Sequence, residues 1–199
     1  VRQSQRRKLK DKTMKRTAII LGCLLLASPA MAQSITEKTG VNSVLGVAPA
    51  TADFVKQVAI SDMFEIQSNK IAEDKGNAAE KAFAKQMIAD HTKTSTELKS
   101  AVSGGKIEAA LPTALDSNHQ SKIDKLKTAT AADFSATFID QQIDAHKDAV
   151  SLFERYAKGG DNAALKDWAG KTLPALKHHL EMAQNLDKQR STTTSKSNK

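Results

Sequence analysis

The chain has 199 residues, 40% hydrophobic and 26% charged, which suits one domain with a substantial core rather than two. Its net charge of +8 is local: residues 1–32 hold eight Lys/Arg and one acid, Asp11, leaving 22 basic against 21 acidic groups in the other 167. That balance argues against a nucleic-acid partner, and the single cysteine, Cys23, lies in the same basic leader, so no disulfide, cysteine zinc site or thiol nucleophile is expected after it.

The leader reads as a secretory signal. Lys15-Arg16 is a basic start, Thr17 to Ala27 an apolar run, Ser28-Pro29 a break and Ala30-Met31-Ala32 an A-x-A cleavage site. Met14 is read as the start, with residues 1–13 as upstream sequence. Ile20-Leu21-Gly22-Cys23 resembles a lipoprotein box, but the apolar run continues through Leu24-Leu25-Leu26, which favours cleavage after Ala32. The apolar run is too short for a stable membrane span, and no span is expected in the mature chain. The expected location is the periplasm or beyond, with peripheral outer-membrane association as a variant.

Residues 33–50 are small and polar and read as a flexible linker. Four long segments with helical period follow. The first runs from about Ala52 to Lys75, with Phe54, Val55, Val58, Ala59, Met63, Ile66 and Ala72 on one face and Gly76 as its stop. The second runs from about Ala78 to Val102 after a capping box of Asn77 and Glu80, with a stripe of Phe83, Ala84, Met87, Ile88, Leu98 and Val102. A connection from Ser103 to Thr128 contains Leu111-Pro112 and a short amphipathic piece capped by Ser117. The third segment spans Ala131 to Lys158, with Phe134, Phe138, Ile139, Ile143, Ala149, Val150 and Phe153 inward. The fourth begins at Asn162 behind the cap candidate Asp161 and ends near Lys188, with Leu165, Trp168, Ala169, Leu173, Leu176, Leu180, Ala183 and Leu186 inward. Pro174 lies inside it, its ring facing the carbonyl of Gly170, which predicts a bend that follows the core. Residues 189–199 read as a disordered tail.

Tight turns make the first two and the last two segments antiparallel hairpins. The connection between them is long enough to cross helices of about 37 Å. The expected fold is all-α: a ferritin-like four-helix bundle spanning 51–188, with one long crossover between helices two and three and those two helices parallel.

Each helix carries one ionisable residue on its apolar stripe: Glu65, His91, His146 and His179. All four sit near mid-helix, so they share one layer whichever way each helix points. Three imidazoles and a carboxylate converging in a bundle core suit a divalent metal such as Zn, Mn, Fe or Cu. The competing reading is a buried hydrogen-bonded network that specifies helix register. Asp62 also points inward, positioned to hold a histidine N–H. Met87 and Gln142, one turn before His91 and His146, read as supporting groups, soft ligands or core filling. His119 and His178 read as surface residues.

No P-loop, dinucleotide fingerprint, nucleophile elbow or H-E-x-x-H is present. The paired E-x-x-H pattern of di-iron sites is missing, since Ile88 and Ile143 stand three residues before His91 and His146. No motif specifies a substrate or an oligomeric state.

An ordered set of elements does resemble a known family. They are Phe54-Val55 and Glu65-Ile66, Phe83 with Met87-Ile88-Ala89-Asp90-His91, Leu111-Pro112, Phe134, His146 with Phe153-Glu154, and Leu173-Pro174 with His179-Leu180. Over residues 51–187 the chain resembles an exported bacterial ferritin-like family of unknown function, often labelled "predicted outer membrane protein". The resemblance implies a four-helix ferritin-like fold, and its recurring Glu and His fall on Glu65, His91, His146 and His179. Phe138 departs from a usual Tyr and Asp62 from a usual small residue. Nothing alternates like barrel strands.

The functional expectation is a periplasmic bundle that binds a divalent metal, in metal handling or in envelope or oxidative stress. Its rivals are a non-enzymatic envelope structural or interaction module and a metal-dependent redox enzyme.

Overall fold

A computed structural model describes residues 46–104 and 107–197. The signal sequence, its cleavage site and residues 33–45 of the linker lie outside the described residues. Among those described, regular structure is helical throughout, with five helices and no strand: α1 (Thr51–Lys75), α2 (Ala78–Gly104), α3 (Ser117–Thr128), α4 (Ala131–Gly159) and α5 (Ala163–Ser197). No described helix is long and apolar enough to cross a membrane.

The turns follow from local chemistry. Gly76 ends α1 with an extended backbone, so close approach rather than a left-handed conformation demands glycine there: a Cβ would sit 2.6 Å from the Ala72 carbonyl oxygen. The capping box then starts α2. The Asn77 side chain accepts from the Ala79 and Glu80 amides at 2.9 and 3.0 Å, and Glu80 Oε2 accepts from the Asn77 amide at 2.9 Å. Two cap expectations are corrected. Asp116, not Ser117, caps α3 by accepting from the His119 amide. Asn162, not Asp161, caps α5 by accepting from the Leu165 amide at 3.0 Å. Asp161 instead accepts from the Thr51 hydroxyl, beside the Tyr156 hydroxyl. The residue one step nearer the helix has the geometry to cap in one case, and the residue one step further in the other.

Specific contacts give the helix directions. Along α1, Phe54 stacks on Tyr156, Asn69 donates to Gln142 and the Lys75 ammonium lies over Phe134. The α4 partners descend as the α1 numbers rise, so α1 and α4 are antiparallel. Glu97 accepts from Trp168 and Asp90 pairs with His179, so α2 and α5 are antiparallel too. With tight turns joining α1 to α2 and α4 to α5, α2 and α4 run the same way, the orientation the long connection predicts.

That connection does more than cross. α3 lies on α1, with His119 edge-on to Phe64 at 5.4 Å and the Lys122 ammonium over the same ring at 5.8 Å. A single apolar stripe on α1 therefore understates its burial: Phe64 and Ile60 are buried, whereas Met63 and Ile66 are only half-buried. His119 is half-buried by the same contact rather than a surface residue, while His178 is exposed. The composition predicts a tail from residue 189, but α5 runs on to Ser197. Adding residues to a formed helix avoids the nucleation cost, so weakly apolar sequence can prolong it.

The core has two apolar halves. One gathers Phe54, Val55, Val58, Leu98, Phe153, Tyr156, Leu165 and Leu176. The other gathers Ala72, Phe83, Met87, Leu126, Phe134, Phe138, Ile139 and Leu186. In α1, α2, α4 and α5, most of the buried polar residues fall between the two sets in sequence, at Asp62, Glu65, Ser68 and Asn69, His91, Gln141, Gln142 and His146, and His179; Glu80 at the α2 cap and Arg155 near the end of α4 lie outside this layer.

Candidate metal centre

Helical period aims Glu65, His91, His146 and His179 at the same interior, and all four are buried, at 1, 3, 1 and 4% exposure. The three imidazoles converge. Their ring centroids are 5.5–5.7 Å apart, and each ring offers a nitrogen within 4.8 Å of those of the other two. Some point then lies no more than about 2.8 Å from all three nitrogens, so closing each ring by under ~1 Å reaches zinc-type bond lengths. Glu65 belongs to the same layer but stands outside this group of three. Its Oε2 accepts from Asn69 Nδ2 at 3.0 Å, and its Oε1 is buried without a partner.

The outward nitrogen of each ring is held. His91 Nδ1 lies 2.8 Å from Asp62 Oδ1, His146 Nδ1 lies 2.8 Å from the Gln142 carbonyl oxygen, and His179 Nε2 lies 2.9 Å from Asp90 Oδ2. Each partner sets the ring angle; the Gln142 carbonyl oxygen and the Asp90 carboxylate accept from the outer nitrogens of His146 and His179, which leaves a lone pair on the inner ones, and at His91 the proton shared with Asp62 must leave before the same holds. Those inner atoms, His91 Nε2, His146 Nε2 and His179 Nδ1, are buried and make no hydrogen bond. Glu65 Oε1 and Asn69 Oδ1 are in the same condition. Buried polar atoms are rarely left unpaired, and a collection of acceptors is what a cation satisfies.

Among the supporting groups read from sequence, Asp62 holds His91 and is steadied by Ser95, which donates to Oδ2 at 3.1 Å. Gln142 supports His146 through its backbone carbonyl, while its side chain donates to Ser68 Oγ and accepts from Asn69. Met87 is fully buried in the apolar half beside the layer. Reading the apolar stripes alone passes over Asp90, Ser68 and Asn69 as site residues. Ser68 and Asn69 follow Glu65 at helical spacing and carry a signal; Asp90 flanks His91 on a part-exposed edge, where periodicity carries none, and is marked only by its place in the Met87-Ile88-Ala89-Asp90-His91 motif.

Burial dominates the electrostatics. It pushes His91 down to about 4, with the His146 charge adding and Glu65 and Asp90 opposing. Burial also takes His179 to about 4, reinforced by His146 and His91 against Asp90. It pushes Asp62 up to about 8 against the Ser95 hydrogen bond. For Asp90, burial is outweighed by hydrogen bonds from Gln86 and His179 and by nearby histidine charge, so its carboxyl stays below the ordinary range. The site thus keeps His91 and His179 as neutral imidazoles, the form that binds metal, with an ionised carboxylate on His179 and one proton-retaining pair, Asp62–His91.

No curated protein and no solved structure matches the chain. A family model does match residues 36–186, and the chain belongs to that family, described as a domain of unknown function (DUF4142).

Proposed function

We propose that the chain is an exported, ferritin-like four-helix bundle that binds one divalent metal through His91, His146 and His179, with Glu65 as the fourth ligand after a small side-chain turn. In this reading α1, α2, α4 and α5 form the bundle and α3 belongs to the crossover. The carrying observation is that three buried imidazoles each offer a nitrogen within 4.8 Å of those of the other two, and that one nitrogen of each ring is buried without a partner. The register-specifying network is less favoured, because a network would join these nitrogens and Glu65 Oε1 by hydrogen bonds. Three nitrogens with one carboxylate suit Zn, Mn, Fe or Cu. Metal handling in the envelope, or protection there against oxidative stress, is the role that fits an exported metal binder. Peripheral association with the outer membrane and a metal-dependent redox activity are extensions of the same reading.

The test is elemental analysis of the protein purified from the periplasm together with its intact mass. One metal per chain on a protein beginning at Gln33 is the expected result. A metal-free protein that also refuses Zn, Mn and Cu on reconstitution refutes the metal centre, and a lipid-modified species beginning at Cys23 refutes the soluble export reading.

Loading should also release a proton. The Asp62–His91 pair carries one proton more than the metal-bound form can hold, and burial keeps it there up to about pH 8. Since the free protein binds that proton and the loaded one does not, zinc affinity should rise with pH, by about tenfold per unit between roughly pH 5 and 8, and level off above. His91 and His179 add competition only as the pH falls toward about 4. Calorimetry at pH 7 in buffers of different ionisation enthalpy should read about one proton released per zinc from this pair; a value of zero contradicts the shared-proton account.

A further inference from the structure

An ion bound by three buried histidines must cross protein to reach them. A cleft of about 390 Å³ opens among α1, α3 and α4, and its lining includes both His91 and Asp62. The lining residues grade in burial. Asp116 and Asp148 are exposed, Ser61 and Thr94 are half-buried, and Asp62 and His91 are buried. Oxygen donors therefore run from surface to interior and end on a carboxylate bonded to a candidate ligand.

We infer that this cleft is the path by which a divalent cation enters and leaves the histidine site, which makes the ion exchangeable cargo rather than a permanent structural part. The inference rests on the metal reading above. A divalent cation gives up hydration water only where oxygen atoms replace it, and the graded hydroxyls and carboxylates supply that replacement in steps. Asp148 and Asp116 draw the cation to the mouth, and Asp62 receives it behind the His91 ring. Three bases line the same walls and oppose it: Arg155, Lys122 and His119, whose Nδ1 lies 2.8 Å from Asp116 Oδ1. The Arg155 guanidinium donates to the Val47 carbonyl oxygen at 2.7 Å, and the Lys122 ammonium, over the Phe64 ring at 5.8 Å, is close enough to act on the Asp148 charge. The rival approach is from the opposite side, past the part-exposed Asp90 that holds His179.

Stopped-flow zinc uptake by the metal-free protein, followed with a colorimetric zinc chelator, separates these cases. Asp148→Asn should slow uptake about threefold to tenfold and Lys122→Ala should accelerate it, because each changes the charge along the path. Ala145→Phe, which fills the cleft, should slow uptake further still. Final stoichiometry should stay at the wild-type value in all three, and Asp167→Asn on the exposed face of α5 should change nothing. Uptake rates within about twofold of wild type in Asp148→Asn and Lys122→Ala, at full stoichiometry, overturn the route and leave the metal centre standing. A wild-type protein that takes up no zinc removes the metal centre and the route together.

Discussion

Replacing His146 with Ala should abolish zinc binding and the thermal stabilisation that comes with it. His146 is the cleanest of the three proposed ligands to remove. Its outer nitrogen rests on a backbone carbonyl, whereas His91→Ala would strand the buried Asp62 carboxyl and His179→Ala would free Asp90. Zinc at a hundredfold excess over its dissociation constant stabilises the native state by about 2.7 kcal/mol. In a domain of this size that is a rise of about 5–10 °C in Tm for the wild type. The variant should show less than about 1 °C, since two imidazoles and a displaced carboxylate hold zinc far more weakly. The metal-dependent shift is the readout, because absolute Tm mixes in the cavity the lost ring leaves. Without metal, the variant also loses an unpartnered buried nitrogen, so its penalty there should be smaller than for an apolar ring of the same size. Equal zinc-dependent shifts in wild type and variant would exclude His146 as a ligand.

The layer was legible because helical period and chain depth are both sequence properties. Glu65, His91, His146 and His179 each follow an apolar stripe, and each sits near the middle of its helix, so burial at a common level needs no knowledge of direction. Period fixes where a Cβ points, however, and says nothing of the atoms beyond it. Glu65 reaches the layer, yet its carboxylate turns onto Asn69, one helical turn along its own helix. Periodicity misses the role of Asp90 for a related reason: it is part-exposed on α2, and only the crossing of α5 brings His179 to it. Phe64 escaped because its partner, α3, is short and comes from the crossover, and a stripe drawn on α1 alone cannot register a second covering face. The cap errors at Ser117 and Asp161 are single-residue errors of a different kind. Two adjacent side chains can each cap, and the tertiary contact of Asp161 with Thr51 decides which one does at α5.

Phe54→Ala should give the opposite pattern to His146→Ala, with a large loss of stability and metal binding intact. Phe54 is fully buried at the start of α1, stacked on Tyr156 with centroids 3.8 Å apart and edge-on to Phe153 at 5.2 Å and Trp168 at 6.3 Å. Removing the ring empties the centre of an aromatic cluster drawn from α1, α4 and α5, and none of these neighbours is small or flexible enough to fill the space. Truncations of this kind cost about 3–5 kcal/mol. With roughly 2–4 °C lost per kcal/mol in a domain of this size, Tm should fall by about 10 °C, readable by circular dichroism. The cluster occupies the apolar half of the core that excludes Met87 and Phe138, and its ring contacts with Phe54 are to Phe153, Tyr156 and Trp168 rather than to a histidine. Below its own transition the variant should therefore bind zinc at the wild-type stoichiometry and still gain Tm on loading. A loss of zinc binding in the folded Phe54→Ala protein would mean that the polar layer depends on packing in that half of the core, and that its ligand geometry is set by the whole helix assembly rather than by Asp62, Gln142 and Asp90 behind each ring.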